Sequence, residues 1–249
     1  MIFIYFKESE YDMARLFGID ILTGSRRLIL TRCADMIGKG GAICTVNPEI
    51  MRDSVYNDAL GRALSRSVNV PDGIGVAAAL GQRGVYTDVF PGVELGEALL
   101  DVRPVRFGII GGASGVAERA AIRLSSAHRS AMPVLAMDGY TVTERDATEV
   151  IKESGAELVF ICMGSPKQEL FIDRIRGRVD GVLFVALGGS ADVYSGDKKR
   201  APAAFRKMHF EWAYRMAREP RRILRAPKLF DFCFLSLIEP AVYRKIDKS

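Results

Sequence analysis

Short apolar runs, many of them ending in glycine, recur along this 249-residue sequence and constrain its fold more than any other feature. Each run is four to eight residues long, as expected for strands that are buried on both faces of a parallel sheet. We predict strands at 42–46 (AICTV), 105–112 (VRFGIIGG), 132–139 (MPVLAMDG), 157–164 (ELVFICMG) and 182–189 (VLFVALGG).

Helical patterns separate these runs, for example at 58–67, 114–126 and 146–154. This alternation predicts an α/β fold, a Rossmann-like and mostly parallel sheet flanked by helices. A composition of 49% apolar and 26% charged residues can bury a core of that size. Ligands of such sheets bind beyond the carboxyl ends of the strands, so the residues that follow each run are the candidates for a site.

The segment GGASG at 111–115 leads from a predicted strand into a predicted helix. Its backbone N–H groups could hold a phosphate, but the segment lacks the GxGxxG spacing. A tight strand-to-helix turn needs glycine in any case, so we favour a structural turn. Nucleotide contact by Gly111 and Gly112 stays open as the alternative.

The segment PDGIG at 71–75 combines a proline, an aspartate and two glycines, which make a good turn for local reasons alone. The alternative is that the turn presents Asp72 as a general base. The chain contains only two histidines, so any proton abstraction would fall to an aspartate or a glutamate.

Two further strand ends carry polar residues. The segment GSPKQE at 164–169 has a proline at a helix start and an acid in the first turn, which is ordinary helix capping. The same positions could bind an anionic or sugar ligand, through Gly164, Lys167, Gln168 and Glu169.

The segment 188–202 is either a solvated loop or a second binding element, with Gly188, Asp192 and Arg200 as its candidates.

Positive charge is confined to the end of the chain, because residues 1–197 carry a net charge of −4 and residues 198–249 carry +9. We therefore expect an anionic partner for an appendage at 201–249, and an α/β catalytic domain at 1–200. The appendage interleaves basic and aromatic residues, which is typical of a membrane-surface element. A nucleic-acid-binding surface has a similar composition, but no helix-turn-helix, RNP or zinc pattern accompanies it.

Several classes of protein do not fit the sequence. The four cysteines are far apart, and with two histidines a zinc site is hard to assemble. No DxD triad, GxSxG elbow or phosphate-binding P-loop occurs. The N-terminus does not resemble a signal peptide, and the late apolar stretch at 230–237 is far shorter than a spanning helix. We expect no metal, no cofactor, and a soluble or peripheral protein in a reducing compartment.

Six motifs occur in a fixed order: TVNPEI (45–50), VPDGIGV (70–76), GSPKQEL (164–170), LGGSADVYSG (187–196), KRAP (199–202) and FEWAYRMAREPRR (210–222). Together they resemble the signature of the WecG/TagA/CpsF family, glycosyltransferase family 26, from about Phe17 to Phe234. The resemblance implies inverting transfer of N-acetylmannosamine, its uronic acid or glucose from a UDP-sugar. The implied acceptor is a polyprenyl-diphosphate-linked sugar in the assembly of a cell-surface polysaccharide.

The resemblance also implies roles for individual residues. Asp72 corresponds to the proposed catalytic base, while Thr45, Asn47 and Gln168 are similar to pocket residues. The appendage is expected to close over the site at the inner face of the cytoplasmic membrane, where arginines meet the diphosphate. The candidate arginines are Arg83, Arg215, Arg222 and Arg225. One departure is Glu94, which stands where the family commonly has an aspartate.

Two other functions are weighed against this one. A Rossmann-type nicotinamide-dependent oxidoreductase would use the same core, but the sequence lacks GxGxxG and its ribose-binding acid. A nucleic-acid-binding module would use the basic end of the chain, but it leaves the PDG and SPKQE segments without a role. We therefore expect no nucleic-acid partner, and the sequence is compatible with a homo-oligomer.

Overall fold

The computed structural model describes residues 13–202, residue 205 and residues 226–246, and in these ranges the fold is α/β, as predicted. The strands are β1 Met13–Leu16, β2 Ile19–Leu22, β3 Gly41–Val46, β4 Val68–Pro71, β5 Val105–Gly111, β6 Ala131–Met137, β7 Leu158–Cys162 and β8 Leu183–Ala186. The helices are α1 Arg26–Ala34, α2 Pro48–Tyr56, α3 Asp58–Ser65, α4 Ile74–Gly81, α5 Gly92–Asp101, α6 Val116–Ala127, α7 Glu144–Ser154, α8 Lys167–Ile175, α9 Ser190–Tyr194 and α10 Ala226–Ile246. A single 3-10 turn, Arg176–Arg178, follows α8 in this part of the chain.

The eight strands form one sheet in the order β1-β2-β4-β3-β8-β7-β5-β6. Strands β1 and β2 form an antiparallel hairpin, and every other neighbouring pair is parallel. All five strands predicted from the sequence are present, as β3, β5, β6, β7 and β8. The hairpin is joined to β4 partly by the buried Asn69, whose Nδ2 donates to Asp20 O and Leu64 O at 2.9 Å each.

Two hydrophobic clusters cover the two faces of the sheet, because successive side chains of a strand point to opposite faces. On β7, Val159 and Ile161 face the first cluster with helices α2, α3, α4, α7 and α8. Leu158 and Phe160 face the second cluster with α1, α5, α6 and α9. The sheet is thus buried on both faces, which explains why its strands appear in the sequence as continuous apolar runs.

The C-terminal helix α10 packs on α2 and on the edge hairpin. Phe232 is 3% exposed and meets the Phe17 ring edge-on, with a centroid distance of 5.7 Å. The Arg52 guanidinium pairs with Asp231 at 2.6 Å, and Lys228 Nζ lies 2.6 Å from the Asp53 carboxylate. Among the described helices, none is both long enough and apolar enough to cross a membrane.

Candidate functional site

The candidate site lies at the carboxyl edge of the sheet, where β3, β4 and β8 end side by side. The connection after β3 enters α2 on the first face, whereas the connection after β8 enters α9 on the second face. Neighbouring strands whose connections leave in opposite directions form a topological switch point, which is where sheets of this type have their ligand-binding crevice. Most of the described sequence candidates lie at this edge of the sheet.

Asp72 follows the last residue of β4 and is half-buried. Its backbone N–H donates to Val46 O at 2.8 Å, so it lies directly beside the end of β3. The next residue, Gly73, has φ of +117°, a conformation that favours glycine and turns the chain sharply into α4. Gly75 approaches Pro48 so closely that a Cβ there would lie 2.4 Å from Pro48 Cγ. The PDGIG segment thus fixes Asp72 against the start of α2.

Asn47 and Thr45 end the neighbouring strand β3. Asn47 is the N-cap of α2, and its Oδ1 accepts the Ile50 N–H at 3.0 Å. The cap uses the Oδ1 atom, so the Nδ2 group can donate to a ligand. Thr45 is 3% exposed, and its hydroxyl donates to Ala186 O of β8 at 2.9 Å. In this structure Thr45 therefore joins β3 to β8 beneath the site.

Gln168 and Glu169 form a buried pair in the first turn of α8, each 1% exposed. Gln168 Oε1 accepts the Gly188 N–H at 2.9 Å, and its Nε2 donates to Glu169 Oε1 at 2.9 Å. Because a backbone N–H can only donate, this contact fixes the orientation of the Gln168 amide. Gln168 thereby holds the glycine turn after β8, where φ of Gly188 is +57°. Burial raises the pKa of Glu169 above its usual value and favours its neutral form.

The ends of β5, β6 and β7 pack tightly against one another beside this crevice. A Cβ at Gly111 would lie 2.2 Å from Cys162 O, so only glycine fits there. Gly112 O accepts the Gly139 N–H at 3.0 Å, and Lys167 Nζ donates to Gly139 O at 2.6 Å. These contacts account for the glycines of GGASG as a structural turn. Nucleotide contact there remains a prediction, as it does for Gly164, whose φ is +77°.

A cluster of two arginines and one glutamate lies on the second face of the sheet, at the same edge. Glu94, in the first turn of α5, pairs with both Arg26 and Arg200. Burial by itself would raise the pKa of Glu94, but the two guanidinium groups outweigh it and hold the pKa below its usual value. The α5 N-terminus is close to Thr45, because a Cβ on Gly92 would lie 3.1 Å from Thr45 Oγ1.

Sequence reasoning proposed Arg200 but missed Arg26. A signal was present in the sequence, since Arg26 and Arg27 directly follow Ser25, which the structure shows to be the N-cap of α1. Positive charge is unfavourable at a helix N-terminus, and local rules are broken most often at functional sites.

Other sequence candidates lie in places that the sequence did not indicate. Arg83, which follows the C-cap of α4, pairs with Glu239 of α10 and donates to Arg15 O at 2.8 Å. Asp192 pairs with Lys198 at 2.7 Å. Arg215, Arg222 and Arg225 lie outside the described residues, so their contact with a diphosphate stays a prediction.

Two shallow clefts lie outside the crevice. One, of about 510 Å³, is lined by Thr143, Lys167 and Phe171 between α7 and α8. The other, of about 450 Å³, is lined by Gly38, Glu157 and Gly181 at the opposite, amino edge of the sheet. In the part of the chain that the structure describes, no cluster of three His, Cys, Asp or Glu side chains is arranged to hold a metal ion.

Comparison with known proteins gives consistent results. The model of the Glycosyl transferase WecG/TagA/CpsF family matches residues 14–245. An N-acetylglucosaminyldiphosphoundecaprenol N-acetyl-beta-D-mannosaminyltransferase of Bacillus spizizenii is 34% identical over 198 residues, covering 76% of this chain and 77% of that protein. The protein of the same description from Bacillus subtilis is 31% identical over 201 residues, with coverage of 76% and 77%.

Proposed function

This chain belongs to the WecG/TagA/CpsF family of glycosyltransferases, and from that premise we propose that it transfers N-acetylmannosamine from a UDP-sugar to a polyprenyl-diphosphate-linked N-acetylglucosamine. The names of both relatives support this choice of sugar and acceptor over the uronic acid or glucose. The oxidoreductase and nucleic-acid-binding alternatives are not favoured by the family match.

The observation that carries the proposal is the juxtaposition of Asp72 and Asn47 at the ends of two adjacent strands, beside the switch point. The Asp72 N–H is bonded to Val46 O, and Asn47 follows Val46 directly. The backbone positions that carry a carboxylate and an amide donor are thus fixed side by side at the edge of the sheet. Such preorganisation is what a general base and a sugar-binding group require.

Asp72 acts in this proposal as the base of a single displacement. Its carboxylate accepts the proton of an acceptor hydroxyl while that oxygen attacks the anomeric carbon, and the bond to the UDP oxygen breaks. One displacement inverts the anomeric centre and needs no second carboxylate. The negative charge that develops on the departing diphosphate is stabilised by arginines and by backbone N–H groups at the strand ends.

Gln168 contributes to this site by holding the Gly188 turn. Gly188 and Gly189 present backbone groups at the end of β8, and the buried Gln168–Glu169 pair fixes the position of the first of them. The Gly188 N–H itself is occupied by Gln168, so Gln168 acts by fixing the turn, and a neighbouring donor on a turn that is fixed before the reaction needs no reorganisation as charge develops. Gln168 is therefore a positioning residue in this proposal, as well as a predicted pocket residue.

We also propose that the enzyme binds the inner face of the cytoplasmic membrane through its C-terminal end. Helix α10 exposes Phe230 (77%), Phe234 (60%) and Leu237 (65%), while Phe232 on its other side is buried. Apolar residues on an exposed helix in a strongly basic segment insert at a lipid interface. Each nearby Lys or Arg adds about 1 kcal/mol at an anionic surface.

Flotation with liposomes that contain anionic lipid tests the membrane proposal. Replacing Phe230, Phe234 and Leu237 together by Ser should abolish co-flotation. A matched control replaces Ile122 and Met132, which are 63% and 60% exposed elsewhere on the molecule. Equal flotation of the α10 variant, the control and the wild type would contradict the proposal.

The catalytic proposal is tested with the purified enzyme, a short-chain polyprenyl-diphosphate N-acetylglucosamine acceptor and a panel of UDP-sugars. We expect a disaccharide product and acceptor-dependent release of UDP with UDP-N-acetylmannosamine. Transfer from another UDP-sugar alone would correct the donor and leave the reaction class intact. If no uridine nucleotide bound and NAD raised the melting temperature, the proposal would be wrong.

A further inference from the structure

Two arginines from distant parts of the sequence share one carboxylate at the edge of the crevice. Arg26 begins α1 and Arg200 follows α9, and both guanidinium groups pair with Glu94 of α5. The Arg26 side chain is 46% exposed, whereas Arg200 and Glu94 are 18% and 24% exposed. Glu94 thus holds two guanidinium groups close together, and one of them is open to solvent.

Backbone contacts place this cluster beside the proposed base. The Arg26 guanidinium lies over the Phe90 ring, 4.4 Å from its centroid. The Phe90 N–H donates to Pro71 O at 2.9 Å, and Pro71 immediately precedes Asp72. The Arg26 guanidinium is therefore separated from the end of β4 by a single aromatic residue.

The cluster has hydrogen-bonding capacity left for an anion. The buried Nε of Arg200 has no hydrogen-bond partner among the described residues. Glu94 provides one negative charge for two positive ones. The Asp88 carboxylate, whose Oδ2 accepts the Arg26 backbone N–H at 2.9 Å, is a second acidic group beside Arg26. A planar guanidinium presents several donors in a fixed fork that matches phosphate oxygens.

We propose that Arg26 and Arg200, held in position by Glu94, bind the diphosphate of the nucleotide-sugar donor. This inference rests on the proposed function, and it adds Arg26 as a binding residue and Glu94 as a positioning residue. It also accounts for Arg26 at the N-terminus of α1, where positive charge does not favour the helix itself. The β-phosphate is the group whose charge increases when the sugar leaves, so these arginines act on the departing UDP.

The test measures the binding of UDP, UMP and uridine by calorimetry to Arg26→Ala and to Arg27→Ala. Arg27 is an exposed neighbour in the same helical turn, so the second variant matches the change in net charge. We expect UDP to bind about 10- to 100-fold more weakly to Arg26→Ala, the usual effect of losing a hydrogen bond to a charged group. Uridine binding should not change, and Arg27→Ala should behave as wild type.

A third variant separates binding from folding. Arg26→Lys keeps the charge and the pairing with Glu94 but removes the fork, so it should fold normally and still bind UDP less tightly than wild type. For Glu94→Gln, we expect weaker UDP binding with unchanged uridine binding, because the two arginines lose their shared anchor.

The outcomes distinguish this inference from the proposed function. If Arg26→Ala and Arg26→Lys both bind UDP as tightly as the wild type does, the arginine pair is not the diphosphate site. If all variants lose uridine and UDP binding in parallel, Arg26 acts only through folding, and the inference is also overturned. If the wild type binds no uridine nucleotide even with the lipid acceptor and liposomes present, the proposed function itself fails.

Discussion

Removing the carboxylate of Glu239 should loosen the packing of the C-terminal helix α10 against the edge hairpin and α4. Glu239 Oε1 accepts the Phe17 N–H at 2.6 Å, and Oε2 pairs with Arg83. The two side chains are 10% and 19% exposed, so the pair is close to fully buried. Breaking a buried pair on one side costs about 3–5 kcal/mol, because the remaining charge is left without a partner. Since a little solvent reaches both groups, we expect about 3 kcal/mol for Glu239→Ala.

This loss of stability should affect α10 and the edge hairpin more than the rest of the fold. Helix α10 is also held by the Arg52–Asp231 and Asp53–Lys228 pairs, whose side chains are 26–41% exposed and contribute less each. Hydrogen exchange should therefore accelerate at the Phe17 amide and along α10, while exchange in β7 and β8 stays slow. Urea denaturation measures the free energy of unfolding of the whole protein, and hydrogen exchange measures the free energy of local opening.

The control is Glu149→Ala, which breaks the exposed pair of Arg145 and Glu149, with side chains 85% and 59% exposed. Its effect should stay within about 0.5 kcal/mol. A double-mutant cycle of Arg83→Ala and Glu239→Ala should give a coupling energy of about 1–3 kcal/mol. Unchanged exchange in Glu239→Ala, or additive effects in the cycle, would show that the Arg83–Glu239 pair does not hold α10 in place. If Arg83 also binds the donor, Arg83→Ala alone will weaken UDP binding.

Two further predictions concern buried groups. Burial raises the pKa of Glu169, so the folded protein keeps a proton that the unfolded chain loses above about pH 4.3. The free energy of unfolding therefore decreases as the pH rises through the folded pKa of Glu169. Urea titrations should find Glu169→Gln more stable than wild type at pH 8, with the gap closing towards pH 4; a constant gap would contradict this. Burial raises the pKa of Cys33 and Cys162 to about 12, whereas Cys233 is exposed. A thiol reagent should therefore label one cysteine in the native protein and none in Cys233→Ser, and labelling of that variant would contradict the burial of the others.

The sequence predicted the central part of the fold because burial on both faces leaves a strong signal. Strands β7 and β8 are continuous apolar runs that end near glycines with positive φ, Gly164 and Gly188. The edge hairpin was not predicted, since strands β1 and β2 have only four residues each, and their pairing depends on contacts distant in sequence. A short strand at the edge of a sheet has too few apolar positions to show a period.

Side-chain pairings between distant parts of the chain could not be predicted, because they too depend on contacts between residues far apart in sequence. The sequence pointed to Asp72 and Gln168 through their motifs, and the structure adds the contacts that hold each of them. Nothing in the sequence indicates that Glu94 joins Arg26 to Arg200, because these two arginines are 68 and 106 positions from Glu94. Motifs indicate which residue types lie at a strand end. Their partners depend on the tertiary packing.

The substitution Asp72→Asn tests whether Asp72 is the general base. The substitution keeps the size and polarity of the side chain and removes its ability to accept a proton, so the fold and UDP binding should be unchanged. Turnover of UDP-N-acetylmannosamine with the lipid-linked acceptor should fall about 10²- to 10⁴-fold, the usual contribution of a general base. The rate is measured as disaccharide formed per enzyme, beside the UDP affinity of the same preparation. Near-wild-type turnover by a folded Asp72→Asn variant would show that Asp72 is not the general base.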